Sequence, residues 1–318
     1  MLKCGKFIIR SYYIFNLKER VGLKQAVIRF LVVVLFLIGG CLLAYPILSN
    51  EWNNYVQSKL IGDYQNKLTD MNSNEYALEW NAAKEFNSNI TENAIGTDAF
   101  GMNGEEESTP GPDFFDSKYY SVLNVNGDGI MGYLSVPKIN LKLPIMHGTY
   151  DEYIQTALGH MNGTALPIGG EGTHSVIVGH RGLPSAELFT NIDQLQKGDK
   201  FYVHVLDEVH AYEVDKIYPM IEADDMDTLE VALRVESGKD YVTLFTCTPY
   251  GVNTHRLLVR GTRVEYLGED EPPKGADAVV ETVKNYYMVI SIIGFILAII
   301  IIVIISRIAK NKEAKRGL

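Results

Sequence analysis

Thr243-Leu-Phe-Thr-Cys247-Thr-Pro-Tyr-Gly251-Val-Asn-Thr-His255-Arg256-Leu-Leu-Val-Arg-Gly261 decides how this chain is read. Two runs of apolar and β-branched residues, Tyr241 to Phe245 and Arg256 to Val264, flank a Pro-Tyr-Gly turn. That is the pattern of two strands in one sheet. A cysteine closes the first run and an arginine opens the second. A thiol attacks a carbonyl only as thiolate, so it needs a cation or base beside it. The oxyanion that forms needs a donor, and a guanidinium keeps its charge throughout.

The same texture extends outward on the N-terminal side. Gly132 to Val136, Ile139 to Ile145, Ser175 to Val178, Lys200 to Val205 and His210 to Tyr218 are short β-like runs, with turns at Asn126-Gly127 and Lys197-Gly198-Asp199. Many short strands with few helical stretches between them predict a mainly β domain, a barrel or sandwich, over residues 119–267. That length suffices for a real core. Ser175-Val-Ile-Val-Gly-His180 ends one such run on a histidine. Cys247, His180 and Arg256 are therefore candidates for nucleophile, proton carrier and oxyanion donor. Bland readings stand beside these. Cysteine is among the most buried residue types. His180 is one of seven histidines. His255 adjoins Arg256, so either could be the working group. Arg181, Arg256, Arg260 and Arg263 could be ordinary strand-surface charges. Spacing alone leaves these open.

The ends of the chain predict a membrane protein. Residues 30–48 and 286–305 are apolar and long enough to span the hydrocarbon core. Residues 1–29 carry a net +6 and residues 306–318 a net +4, against −10 for the whole chain, which leaves −20 for the residues between. Basic flanks place both termini in the cytoplasm and the acidic central region outside. That charge argues against nucleic acid as a partner. Cys4 lies in the basic leader and Cys41 in the first apolar run, so Cys247 is the one cysteine of the exported region. A signal peptide with lipidation at Cys41 is the rival reading of residues 30–48.

Residues 49–90 read as a helical, membrane-proximal segment, with Trp52, Tyr55, Leu60, Tyr64 and Leu68 at helical spacing. Residues 91–118, rich in Gly, Asn, Glu and Pro, read as a long loop of the kind that is usually functional or disordered. Residues 268–285, with Pro272-Pro273, read as a linker. Asn124 to Gly129 looks like the start of a calcium loop but lacks the closing glutamate, with Ser135 in its place, and reads as a hairpin turn. Asp224, Asp225 and Asp227 read as a solvated acidic turn. No pattern indicates zinc or any cofactor.

The opening stretch resembles the active-site signature of sortases in their class C, pilus-assembling form. Val178-Gly-His180-Arg-Gly-Leu-Pro-Ser-Ala-Glu-Leu-Phe-Thr is similar to that class around its histidine. Gly129-Ile-Met-Gly-Tyr, Leu143-Pro-Ile-Met-His-Gly-Thr and Gly159-His-Met-Asn-Gly-Thr-Ala-Leu-Pro-Ile-Gly-Gly are similar to its earlier strands. The resemblance covers residues 119–267. It implies a closed β-barrel of about eight strands with short helices, preceded by membrane-proximal helices and flanked by two transmembrane helices. It implies Cys247, His180 and Arg256 as the catalytic trio, with His255 a neighbour. It further implies a transpeptidase that cleaves a Leu-Pro-x-Thr-Gly-type sorting signal between Thr and Gly through a thioester. A pilin lysine would then take the acyl group. Class C members carry a lid with an Asp-Pro-aromatic motif. Here Asp98-Ala99-Phe100 is the expected anchor, with Ala for Pro, and Asp113-Phe114 is its rival. The alternatives are a housekeeping sortase that anchors proteins to the cell wall, and a non-catalytic β-domain that binds peptides.

Overall fold

The computed structural model describes residues 2–90 and 109–270, with Gly294 and Arg307 as isolated helical positions. The chain divides into two compact units, one of Ile47–Asp277 and one of Met1–Pro46 with Ala278–Leu318. Helix α1 runs unbroken from Leu2 to Asp70 with Pro46 inside it. The helix itself therefore marks no boundary between leader, apolar stretch and membrane-proximal segment. Among the described residues α1 is the one helix long and apolar enough to cross a membrane, and none of its apolar window is buried. The second expected span, residues 286–305, lies outside the described residues apart from Gly294, as does most of the linker before it.

In the unit of residues 47–277, α2 (Ser73–Ser88) follows α1 after a break closed by a capping box. Asn72 Oδ1 accepts from the backbone N–H groups of Asn74 and Glu75, and the Glu75 carboxylate accepts from the Asn72 N–H. Two single turns, α3 (Pro112–Phe115) and α4 (Lys118–Ser121), lead to β1 (Ile130–Val136). Then come β2 (Leu141–His147), the turn α5 (Asp151–Ile154), β3 (Leu158–His160) and β4 (Thr173–Val178). β5 (Lys200–Val205), β6 (Glu208–Glu222), α6 (Met226–Leu233), β7 (Asp240–Thr248) and β8 (His255–Val264) complete the set.

The eight strands close into the expected barrel in the order β1-β2-β3-β4-β7-β8-β6-β5. β2/β3 and β4/β7 are parallel pairs and the others antiparallel. Successive side chains on a strand point to opposite faces, and the apolar clusters sort accordingly. Leu134, Val136, Ile145, Ile177, Phe201, Val203, Val242, Leu244, Leu257 and Val259 form the main core inside the barrel. Each such side chain contributes roughly 1.5–3 kcal/mol on burial. Val176, Val178, Phe245 and Leu258 have the opposite parity and pack outside with Ile221 and with Leu229, Ala232 and Leu233 of α6. Ile130, Tyr133 and Met146 face outward elsewhere, onto Ile61 and Tyr64 of α1. Gly261 is on the inner face, where a Cβ would come within 2.6 Å of the Phe201 ring.

Two local readings are corrected, and one strand is added to those expected. Residues 226–233 form α6, and Asp225 is its N-cap, accepting from Thr228 N at 3.1 Å. The acidic cluster starts a helix because Leu229, Ala232 and Leu233 bury one face of it. Asn124 to Gly129 is a turn held by Gly129 N donating to Asn124 Oδ1 at 2.8 Å. It joins α4 to β1, and not two strands of a hairpin. β3 is a three-residue strand that the sequence pattern did not reveal.

Candidate active site

Strand pairing brings the three candidates together. Cys247, next to last in β7, lies opposite Arg256 of β8 in the ladder. β4 runs parallel to β7 with Val178 beside Phe245, so His180, two residues on, stands level with Cys247. All three share the parity of Val178, Phe245 and Leu258 and therefore the outer face of the sheet. Cys247 and Arg256 are buried, and the His180 side chain keeps 21% of its surface exposed.

The backbone at His180 is fixed on three sides. Gly179 N donates to Phe245 O at 3.1 Å, and Phe189 N donates to His180 O at 3.0 Å. The buried Thr246 hydroxyl donates to Gly179 O at 2.6 Å. Glycine at 179 is required by packing, since a Cβ would meet Leu158 and the Phe189 ring at 2.7–2.8 Å. Arg256 is braced by its own turn, with Nη1 donating to Asn253 O at 3.0 Å and to His255 O at 3.2 Å. Cys247 forms no disulfide.

The other histidines are accounted for. His147, His160 and His174 are buried with both ring nitrogens in contact with polar partners: Gly129 O and Val122 O; Tyr119 OH and Ala165 O; Arg234 O and Thr243 Oγ1. Burial lowers the proton affinity of His147, and lowers His160 and His174 to about 4. His204 and His210 are likewise lowered by burial, to about 4 and about 3. His255 lies opposite Thr248 with the parity of Leu257, on the other face from Cys247, and its Nδ1 is 2.9 Å from Thr254 Oγ1. Arg260 is committed to Asp215 by two hydrogen bonds, at 3.1 and 2.6 Å, and stacks 4.0 Å over Tyr241. Arg181 donates to Thr190 O, Thr248 Oγ1 and Asp193.

Asp98 and Phe100 lie outside the described residues. Phe114 of the rival motif is buried among Phe115, Tyr119, Tyr120 and Tyr150, and Asp113 is exposed. The sequence reading missed two features here. One is Asp151, whose Oδ1 lies 3.5 Å from His180 Nε2. The other lies beside the trio and not at it: a cleft of about 340 Å³ at the end of β7 is lined by Arg181, Asp193, Ile217, Pro249, Tyr250 and Leu257 among others, and none of Cys247, His180 and Arg256 lines it. Among the described residues no cluster of three or more His, Cys, Asp or Glu could hold a metal ion.

A thiol, an imidazole and a guanidinium on one face, two of them in one cross-strand pair, can form an acyl-enzyme and stabilise its oxyanion. The family profile described as Sortase domain matches residues 134–264. Sortase A of Bacillus anthracis is 26% identical over 135 residues, which is 42% of this chain, and the chain spans 60% of that relative's length. Among solved structures, sortase C1 from Streptococcus agalactiae is 43% identical with a TM-score of 0.57, covering 65% of this chain and 99% of that one. A pilus-related sortase C of Group B Streptococcus is 36% identical with a TM-score of 0.54, covering 65% and 98%.

Proposed function

This chain belongs to the sortase family, and from that premise we propose that it is a membrane-anchored cysteine transpeptidase of the pilus-assembling class. The observation that carries the reading is the cross-strand pair of Cys247 and Arg256, with His180 level on the neighbouring strand. The Cys247 thiolate attacks the Thr carbonyl of a Leu-Pro-x-Thr-Gly-like sorting signal. Arg256 donates to the oxyanion. The His180 imidazolium gives its proton to the departing glycine amine, leaving a thioester on Cys247. A lysine amine of another pilin then attacks the thioester and surrenders a proton to His180. Thiolate and imidazolium are regenerated as the isopeptide bond forms. The basic flanks and the apolar stretch of α1 support a catalytic domain outside the cell with both termini in the cytoplasm. The proposed enzyme includes a lid anchored by Asp98 and Phe100, with Asp113 and Phe114 as the rival anchor.

The test is electrophoresis of cell-wall extracts in hot detergent, from parent cells and from a chromosomal Cys247→Ala strain. The expected result is a high-molecular-weight ladder that the substitution abolishes. A ladder that persists would turn the reading toward cell-wall anchoring or simple peptide binding.

A further inference from the structure

Asp151 opens α5, four residues after β2 ends at His147. Its Oδ1 lies 3.5 Å from Nε2 of His180. Resting on the catalytic reading of Cys247 and His180, we propose that Asp151 is a positioning residue for His180. It holds the ring with its proton on Nε2 and stabilises the positive charge that the ring carries beside the thiolate. Nδ1 is then the nitrogen through which His180 gives and takes protons.

The contact is longer than a charge-assisted hydrogen bond, and such contacts often tighten only when substrate binds. Its geometry is built into the fold by α1. The buried Gln57 donates through Nε2 to Thr156 O at 2.7 Å, just downstream of α5. One helical turn earlier, the buried Asn53 donates through Nδ2 to Ser185 O at 2.8 Å, and Asn50 Oδ1 accepts from Glu187 N at 3.0 Å. Ser185 and Glu187 belong to the segment that follows His180. One rigid helix thus grips both segments that meet at the Asp151–His180 contact, although 29 residues separate the two in sequence.

Among the described residues, other charged groups that bear on His180 come from separate elements. Cys247 arrives from β7 and Arg256 from β8, on the same face. Glu152 follows Asp151 on α5 and is exposed. Arg181 turns toward Thr248 and Asp193. The Asp151 side chain is 41% exposed, so its influence is screened and moderate. Its removal is expected to move the titration of His180 to lower pH by about half a unit to one unit.

The experiment uses the full chain in detergent micelles with isotopically labelled histidine, the His180 signal being identified by its loss in His180→Gln. In Asp151→Asn the His180 titration moves down by that amount. Thioester formation with a sorting peptide slows about three- to tenfold, in kcat and not KM. Asp151→Glu restores most of the loss, and Glu152→Gln leaves the titration where it was. A titration in Asp151→Asn that superimposes on the parent overturns the proposal, as does an equal shift in Glu152→Gln, which would mark a diffuse charge effect. If no variant and no parent protein forms a thioester while the titration still shifts, the pairing stands and the transpeptidase reading falls.

Discussion

Thr246→Val removes one oxygen and keeps the shape of the side chain. The hydroxyl it deletes donates at 2.6 Å to Gly179 O, the carbonyl immediately before His180, and Thr246 is fully buried. A buried acceptor left without its donor costs about 1–3 kcal/mol. Thr246→Ser is the matched control. It keeps the hydroxyl and loses one buried methyl group, about 0.8 kcal/mol plus a small cavity term. Urea unfolding followed by Trp80 fluorescence measures both, since the Trp80 indole donates to Asp207 at 2.8 Å and reports on the barrel. The two variants should lose stability to a similar degree, roughly 1–2 kcal/mol. They should part in function. The Val variant loses one of the three bonds that fix the His180 backbone, so thioester formation slows about tenfold or more, whereas the Ser variant stays near the parent. If Val and Ser variants have the same turnover, the hydroxyl does not position His180. If the Val variant also unfolds at the parent's urea concentration, the bond contributes nothing.

Two further outcomes follow from the site and the core. His160 and His174 are lowered to about 4 by burial, below the value near 6.5 of an unfolded chain. Between those values the unfolded state binds more protons, so each group's contribution is present above pH 6.5 and is lost as pH falls toward 4. The slope is up to about 1.4 kcal/mol per pH unit for each. Urea midpoints measured from pH 7 to pH 4.5 should fall accordingly, and His174→Asn should flatten the fall. For the lid, Asp98→Ala combined with Phe100→Ala should accelerate alkylation of Cys247, read by peptide mass spectrometry to separate it from Cys4 and Cys41. Unchanged alkylation would transfer the role to another segment.

Much of the barrel was legible because its strands are short apolar runs bounded by turn residues. Ser175–Val178 and Lys200–Val205 lie within strands at nearly those limits. β3 was not legible, since three residues carry no periodicity and its pairing with β2 and β4 is a tertiary fact. α6 was misread because its capping aspartate also suits a turn. The spacing of Leu229, Ala232 and Leu233 was the signal that could have found it. At the site, Cys247 stood out as the one thiol outside the basic leader and the first apolar run, but its opposition to Arg256 depends on ladder register. Asp151 could not be picked out among the chain's many acids. Its place beside His180 comes from the β2-β3-β4 pairing and the grip of α1.

The burial of Cys247, at 5% exposed, bears on the durability of the protein. On the proposed placement outside the cell, no glutathione pool stands ready to rescue a thiol that has begun to oxidise. The first step, to sulfenic acid, needs peroxide to reach Sγ and is reversed only if a thiol condenses with it, and the second and third steps are irreversible. With Cys4 and Cys41 far away in sequence, in the leader and the apolar stretch, no such rescue is at hand. The walls around Cys247 therefore protect as well as shape. Variants that open the site for faster chemistry should age faster in aerated medium, losing alkylatable thiol in proportion to the access they gain.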